Sequence, residues 1–324
     1  MMSHKNRRHL LKLAAASTLS AALTAVYADE KPLRLIVITP PGAIVDSSSR
    51  TLAEGLRVRL GRPVLVENRT GAGGNIASDF VAKSAPDGNT LLVTSNNHTT
   101  NAFLYKSLPY DAEKDLVPVA HTVDFALAVA AHPTVKVSTI AELIALAKSN
   151  PDGLSFGSGG NGSPGHIAME LLEAQAGIKL QHIPYKGAAA AMTDAVAGQT
   201  QFAAGSLSSA LPFVKSGQLK VLAVSGRRRA ASAPAIPTMI ESGLGEYDYT
   251  GWIGIMAPRG TPAALVQSLH EQINAVTQTA EFRKSVELQG GEAIQQSITE
   301  FSAMLKTDFE RNRALIRAAG IRLD

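Results

Sequence analysis

Beyond residue 30 the chain opens with three short apolar runs separated by two amphipathic segments. Residues 33–38 are apolar and rich in β-branched side chains, the pattern of a buried strand. The turn signal Thr39-Pro40-Pro41-Gly42-Ala43 follows, and Asp46 stands where a helix N-cap is expected. Leu52, Leu56 and Leu60 then recur at helical spacing. A second strand over 63–67, a glycine-rich turn over 68–75 and a helix over 76–82 come next. Pro86-Asp87-Gly88-Asn89 turns the chain into a third strand over 90–94. A β-α-β-α-β series of this kind predicts a doubly wound sheet. Ligands of such sheets sit at the carboxyl ends of the strands, here 40–45, 68–74 and 95–99.

The second half repeats the alternation without repeating the letters. The apolar run 125–131, ending in His132-Pro133, is expected to cross into a second lobe. Ser138 is the expected cap of a helix reaching Lys148, and residues 154–169 read as strand, glycine-rich turn and helix. Strands over 181–183, 200–204 and 219–224 alternate with an alanine-rich helix over 188–197 and a strand-to-helix junction over 205–209. Residues 252–256 read as the return crossing. Helices over 263–278 and 298–318 finish the chain, the last with Phe301, Leu305, Phe309 and Leu315 facing the core. The expected architecture is α/β, with two doubly wound sheets joined by two crossing segments. Lobe 1 is then 29–124 plus 252–324, and lobe 2 is 125–251. Two lobes on two crossings make a hinged clamp.

The glycine-rich turn carries the clearest chemistry. Gly157, Gly159, Gly160 and Gly162 let backbone approach a ligand, while Ser158, Asn161 and Ser163 add short polar side chains. The helix start that follows has unpaired N–H groups and a partial positive charge, so the segment can cradle a small anion. Gly157 to Gly162 also fits the dinucleotide fingerprint. That motif needs an acidic residue at the end of the next strand, and Tyr185-Lys186-Gly187 stands there instead.

Charge changes the picture only once it is located. Of 31 Lys and Arg, four lie in the first 28 residues, which hold no acid, so the remaining 27 balance the 27 Asp and Glu. Nothing favours a nucleic-acid partner. The leader is basic over 1–12, apolar over 13–26, and ends in Val26-Tyr27-Ala28, as a secretory signal peptide cut before Asp29 does. Its apolar run is short for a membrane span. Arg7-Arg8 also fits a twin-arginine signal, and the two export routes stay open. With no cysteine, disulfides, thiol nucleophiles and lipid attachment at cysteine are excluded, and a monomer free in the periplasm is expected.

Many short signatures in the same order resemble those of a known family, the periplasmic solute-binding receptors of tripartite tricarboxylate transporters (Bug-type receptors). They include Pro41-Gly42 with Asp46 and Arg50, Val66-Glu67-Asn68-Arg69 with Gly71-Ala72-Gly73-Gly74-Asn75, and Ala85-Pro86-Asp87-Gly88. Tyr110-Asp111, Tyr185-Lys186-Gly187, Ala197-Gly198-Gln199 and Ala257-Pro258-Arg259-Gly260-Thr261-Pro262 continue the series. The resemblance implies a type II periplasmic-binding-protein fold that closes on a small organic carboxylate and docks on a two-component membrane permease. It implies no cofactor and no metal. Carried onto this chain, the gripping loops are Gly42, Ala43, Ile44, Val45 and Asp46 in lobe 1, and Ser158, Asn161 and Ser163 in lobe 2. Residues 95–98, among them Ser95 and Asn96, with Tyr185, Gly205 and Ser206, are candidates for the far end of the ligand. The family often has a second glycine at Ala43, a small residue at Ile44, and acids at Gln201 and Gly205. Losing an acid near the pocket removes a partner for an amino group, so a diacid or aromatic acid is expected over an amino acid.

Several of these residues have a plainer role open to them. Asp46 is the expected helix cap first and a water-mediated ligand contact second. His166 reads as structural, and the histidines lack metal spacing. Lys186 reads as solvated or as paired with the ligand, Arg227-Arg228-Arg229 as a solvated run before a permease-docking one, and Trp252 as crossing-segment core before a stacking platform. Tyr185 offers a ring wall and a hydroxyl. No serine has the G-x-S-x-G setting, which argues against a hydrolase without removing one built on an unfamiliar site. A sensor that presents ligand to a membrane kinase remains an alternative to transport.

Overall fold

The computed structural model describes residues 31–151, 153–247 and 249–319. The expected signal peptide, residues 1–28, lies outside them. β1 (Leu33–Val37), α1 (Ile44–Leu60), β2 (Val64–Asn68), α2 (Asn75–Ala82), β3 (Thr90–Ser95), α3 (Asn97–Leu104) and β4 (Leu116–Phe125) form the first half of one lobe. β5 (Leu127–Ala131), α4 (Ile140–Ser149), β6 (Ser155–Ser158), α5 (Pro164–Ala176) and β7 (Gln181–Pro184) begin the other. α6 (Ala188–Val196), β8 (Phe202–Ser206), α7 (Leu207–Lys215) and β9 (Lys220–Val224) complete it. The chain then returns through β10 (Gly251–Pro258), α8 (Ala263–Thr277), α9 (Ala280–Glu287), β11 (Gly291–Ala293) and α10 (Ile298–Ala319).

The first sheet has the order β11-β4-β10-β3-β1-β2 and the second β7-β6-β8-β5-β9. Strands β1, β2 and β3 are parallel, whereas β10 runs antiparallel to both β3 and β4. In the second sheet β6, β7 and β8 are parallel and β5 runs against β8 and β9. Both sheets are therefore mixed. β5 and β10, which follow the two crossings, run against their neighbours, and β11 runs antiparallel to β4.

The apolar run of β1 hides an alternation that both faces of the sheet use. Leu33, Leu35 and Val37 pack with Leu52 and Leu56 of α1 and Ile273 and Val276 of α8. Ile36 and Ile38 pack on the opposite face with Ala77, Trp252, Phe301, Leu305 and Phe309. At Gly55 the α1 backbone comes so near α8 that a Cβ would lie 2.4 Å from Val276 Cγ1. Among the described residues no helix is long and apolar enough to cross a membrane.

Four expectations are corrected. Ala43, not Asp46, is the N-cap of α1, and Asp46 is the third residue of its first turn, because the helix starts directly after the Pro-Pro-Gly turn. Thr139, not Ser138, caps α4 by accepting the Glu142 N–H, while Glu142 accepts from the Ser138 N–H. Trp252 belongs to a strand at the middle of the first sheet rather than to a crossing. It is core, edge-on to Phe301, with its indole N–H donating to Asp308 at 2.7 Å. Finally, α3 is a helix where only a strand end was expected. Its sequence Asn-His-Thr-Thr-Asn-Ala-Phe-Leu buries polar residues, so the usual apolar stripe is absent.

Candidate functional site

Helix α1 begins without a side-chain cap, since Ala43 has no oxygen to offer. The first-turn residues Ile44, Val45 and Asp46 are nevertheless buried, at 3–4% exposure. A buried helix start whose amides have no capping side chain is a site that favours an anion. Thr39 Oγ1, in the same loop, is buried without a hydrogen-bond partner among the described residues. Gly42 has φ +86°, which the tight entry requires.

Asp46 does not compete for those amides. Its carboxylate accepts from the Gly42 N–H at 2.9 Å, from Arg50 at 2.9 and 3.1 Å, and from Asn68 Nδ2 at 2.8 Å. Burial pushes its pKa up, but Arg50, Gly42 and Asn68 together outweigh burial and hold it below the ordinary carboxylate value. Asn68 also donates to the Thr39 carbonyl, so the group braces the β1–α1 loop against the end of β2.

Ser95 is buried at the end of β3, with its hydroxyl on Asn97 Oδ1 at 3.2 Å. Asn96 is wholly buried: its amide oxygen accepts the Trp252 N–H and its nitrogen donates to the Thr250 carbonyl, both at 3.0 Å. That side chain pins the returning strand to β3, at the hinge.

In the second lobe the glycine-rich loop is held mainly by its own side chains. Ser158 Oγ accepts the Gly160 N–H at 3.2 Å and lies 2.6 Å from His182 Nε2. Ser163 caps α5 by accepting the His166 N–H. The Gly162 N–H donates to His166 Nδ1 at 3.1 Å, which makes His166 a loop-holding residue. His166 and His182 stack with centroids 3.9 Å apart, and burial first, with His166 beside it, pushes the His182 pKa down to about 3. Ser158 is completely buried, so its contact with a histidine leaves no exposed nucleophile. Asn161 is half-buried, and its side chain makes no hydrogen bond among the described residues.

Tyr185, expected as a ring wall with a hydroxyl, packs its ring over Gly157. Burial first, with the Asp194 carboxylate beside its hydroxyl, raises its pKa. Gly205 is where β8 meets the start of α6, and a Cβ there would lie 2.5 Å from Ala188 Cβ. Ser206 is the N-cap residue of α7, its hydroxyl on Ser209 Oγ at 2.7 Å rather than on a helix amide.

The two lobes meet around these elements. Ser47, in the first turn of α1, donates to Gln289, and the next residue, Gly290, packs against Leu207 at the start of α7. Asn97, at the start of α3, donates to the Gly162 carbonyl at 3.4 Å. The starts of α1 and α3 in one lobe and of α5 and α7 in the other thus lie along the junction. Residues 289–290 escaped sequence reasoning, since they carry no motif, and 95–99 was expected as a strand end rather than the start of a helix. Among the described residues, no group of three His, Cys, Asp or Glu is placed to hold a metal ion.

Residues 48–321 match the tripartite tricarboxylate transporter family receptor. The chain is 32% identical over 311 residues to Protein BugT of Bordetella pertussis, covering 95% of each. It superposes on R. palustris Rpa4515 with adipate at TM-score 0.84 and 28% identity, over 90% of this chain and 98% of that one. MatC (Rpa3494) from Rhodopseudomonas palustris with bound malate gives TM-score 0.81 at 25% identity, over 88% and 99%. The fold is that of the two-lobed periplasmic binding proteins.

Proposed function

The chain belongs to the tripartite tricarboxylate transporter receptor family, and from that premise we propose a periplasmic receptor that captures a small organic carboxylate between its lobes. It delivers the acid to a two-component membrane permease and catalyses no reaction. The lobes run 29–124 with 252–324, and 125–251, a division supported by the strand membership of the two sheets. Export follows from the leader, and the receptor works as a monomer without cofactor.

The observation that carries this reading is the buried start of α1, where Ile44, Val45 and Asp46 present amides that no side chain caps. Each N–H bond to a charged acceptor contributes about 1.5–3 kcal/mol net. Three of them approach the roughly −8 kcal/mol of micromolar binding, before lobe ordering is subtracted. A diacid is favoured, because helix starts of both lobes lie along the junction. Rpa4515 with adipate and MatC with malate, both dicarboxylate-bound, support it. Asp46 is neutralised by Arg50, and Gly205 offers no acid, so an ammonium group has no evident partner.

Calorimetry and thermal unfolding with mono-, di- and tricarboxylates, aromatic acids and amino acids test the proposal. A cognate acid at about 100 times its Kd stabilises the protein by roughly 2.7 kcal/mol. No heat and no stabilisation with any of these acids would overturn the reading. An amino acid as sole ligand would overturn the preference for diacids.

A further inference from the structure

Resting on this clamp reading, we infer that α3 of lobe 1 and Gly162 of lobe 2 form a latch that sets how long a bound acid is retained, without touching it. Gly162 has both backbone groups engaged, one in each lobe: its N–H goes to His166 and its carbonyl receives Asn97. Neither is left for a ligand. The residue is buried at φ +72°, and a Cβ on it would lie 2.4 Å from Leu104 Cδ1 and 3.2 Å from Asn101 Oδ1. The turn alone does not demand that closeness. Lobe 1 packs directly on the Gly162 α-carbon.

The face of α3 that receives Gly162 is itself braced. Asn101 Nδ2 donates to the Gly73 carbonyl at 3.0 Å and to Asn75 Oδ1 at 2.9 Å, while Asn101 Oδ1 is buried without a partner among the described residues. Gly73 also lacks room, since a Cβ there would be 3.2 Å from the same amide. Asn101 is thus held between two glycine-rich loops, one from each lobe. At the other end of α3, its N-cap Asn96 pins the returning strand at the hinge. One short helix therefore joins the hinge to the point of closure, and Gly162 acts as a positioning residue.

A methyl group at position 162 must displace the buried Leu104 side chain, and with it the contact between the lobes. Gly162→Ala is expected to speed dissociation of a bound acid at least tenfold and to leave its association rate nearly unchanged. Valine lacks Cδ1, so adding Leu104→Val on the other lobe is expected to restore much of the retention. Strain at a positive φ alone would not respond to a change across the junction.

Because the chain contains no cysteine, Lys106→Cys with Ala190→Cys places one spin label on an exposed site of each lobe. Label separations and dissociation rates are measured for the free protein and with adipate and malate as probes. The latch predicts a short-separation population in the wild type that Gly162→Ala depletes and the double variant recovers. Wild-type separations and rates in Gly162→Ala, or no recovery in the double variant, overturn it. If neither probe binds the wild type, the diacid proposal loses its support while the latch is still judged on the free protein. A free wild type without the short population, or a Gly162→Ala variant that keeps it, then overturns the latch.

Discussion

Helices α1 and α5 both begin where a strand ends at the lobe junction, yet α1 starts at Ala43, which has no side-chain oxygen, and α5 at Ser163, whose hydroxyl accepts the His166 N–H. Around α5 the loop is satisfied from within, through Ser158, His182 and His166. Around α1 the acid that stands close by is turned away from the amides and tied to Gly42, Arg50 and Asn68. The difference separates two tasks. A loop that supplies its own caps is rigid before any ligand arrives, whereas a start without a cap keeps its donors for one. On the proposed function, the α5 loop supplies shape and the α1 start supplies the grip.

The most disruptive change to this contrast is to give α1 the cap it lacks. Ala43→Asp is expected to lower affinity for a bound diacid at least 100-fold, since a resident carboxylate takes the amides and repels the ligand, with each lost bond worth about 1.5–3 kcal/mol. The same substitution should leave unfolding stability unchanged or raise it by about 1 kcal/mol, as helix caps do. Calorimetry beside chemical denaturation reads the opposed signs. A loss of stability together with affinity would mean that the α1 start is merely structural.

Asp46→Asn comes next. It removes the ion pair with Arg50 and weakens the brace to Gly42, at an expected cost of about 2 kcal/mol in denaturant unfolding. The pH dependence has a definite sign. Asp46 has a lowered pKa in the folded state, so its contribution is complete above the unfolded value of about 4 and fades as pH falls through the lower folded value. Wild type and variant should therefore converge in stability below pH 4 and differ fully at pH 7. A gap that persists undiminished in acid would assign the brace to packing instead.

On the α5 side the expected effects are smaller and fall on stability. Ser163→Ala should cost about 1 kcal/mol of unfolding free energy, with affinity changed less than threefold. Tyr185→Phe removes a hydroxyl that faces Asp194, so it should cost about 0.5–1.5 kcal/mol and shift affinity less than twofold. A tenfold affinity loss from Tyr185→Phe would restore that hydroxyl to the ligand wall.

What the sequence made legible follows the same division. The apolar runs behind β1 and β3 and the glycine-rich turn before α5 were readable because each uses a local rule: alternation, a breaker, a cap. Asp46 misled because a capping residue type three positions into a helix looks the same on paper as one at its start. The sequence shows Tyr185 as a ring and a hydroxyl, but not that Asp194, on the next helix, stands beside it. Helix α3 was hidden for a physical reason: its buried face is built from His98, Thr99, Thr100 and Asn101, which bury polar atoms against the junction. Burial and desolvation alone push the His98 pKa down to about 4, a setting no hydropathy pattern signals. The antiparallel strands at the crossings depend on contacts far apart in the chain, such as Ile253 with Ser95 and Leu127 with Ser206.

The central claim is that main-chain amides at the start of α1 hold the acid. An ¹H–¹⁵N spectrum recorded while adipate is titrated into the labelled protein tests it most directly. The Ile44, Val45 and Asp46 amide protons should move downfield in step with saturation, and further than those of Gly160 and Gly162, whose N–H groups already have partners. Saturable binding that leaves those three resonances in place would contradict the account.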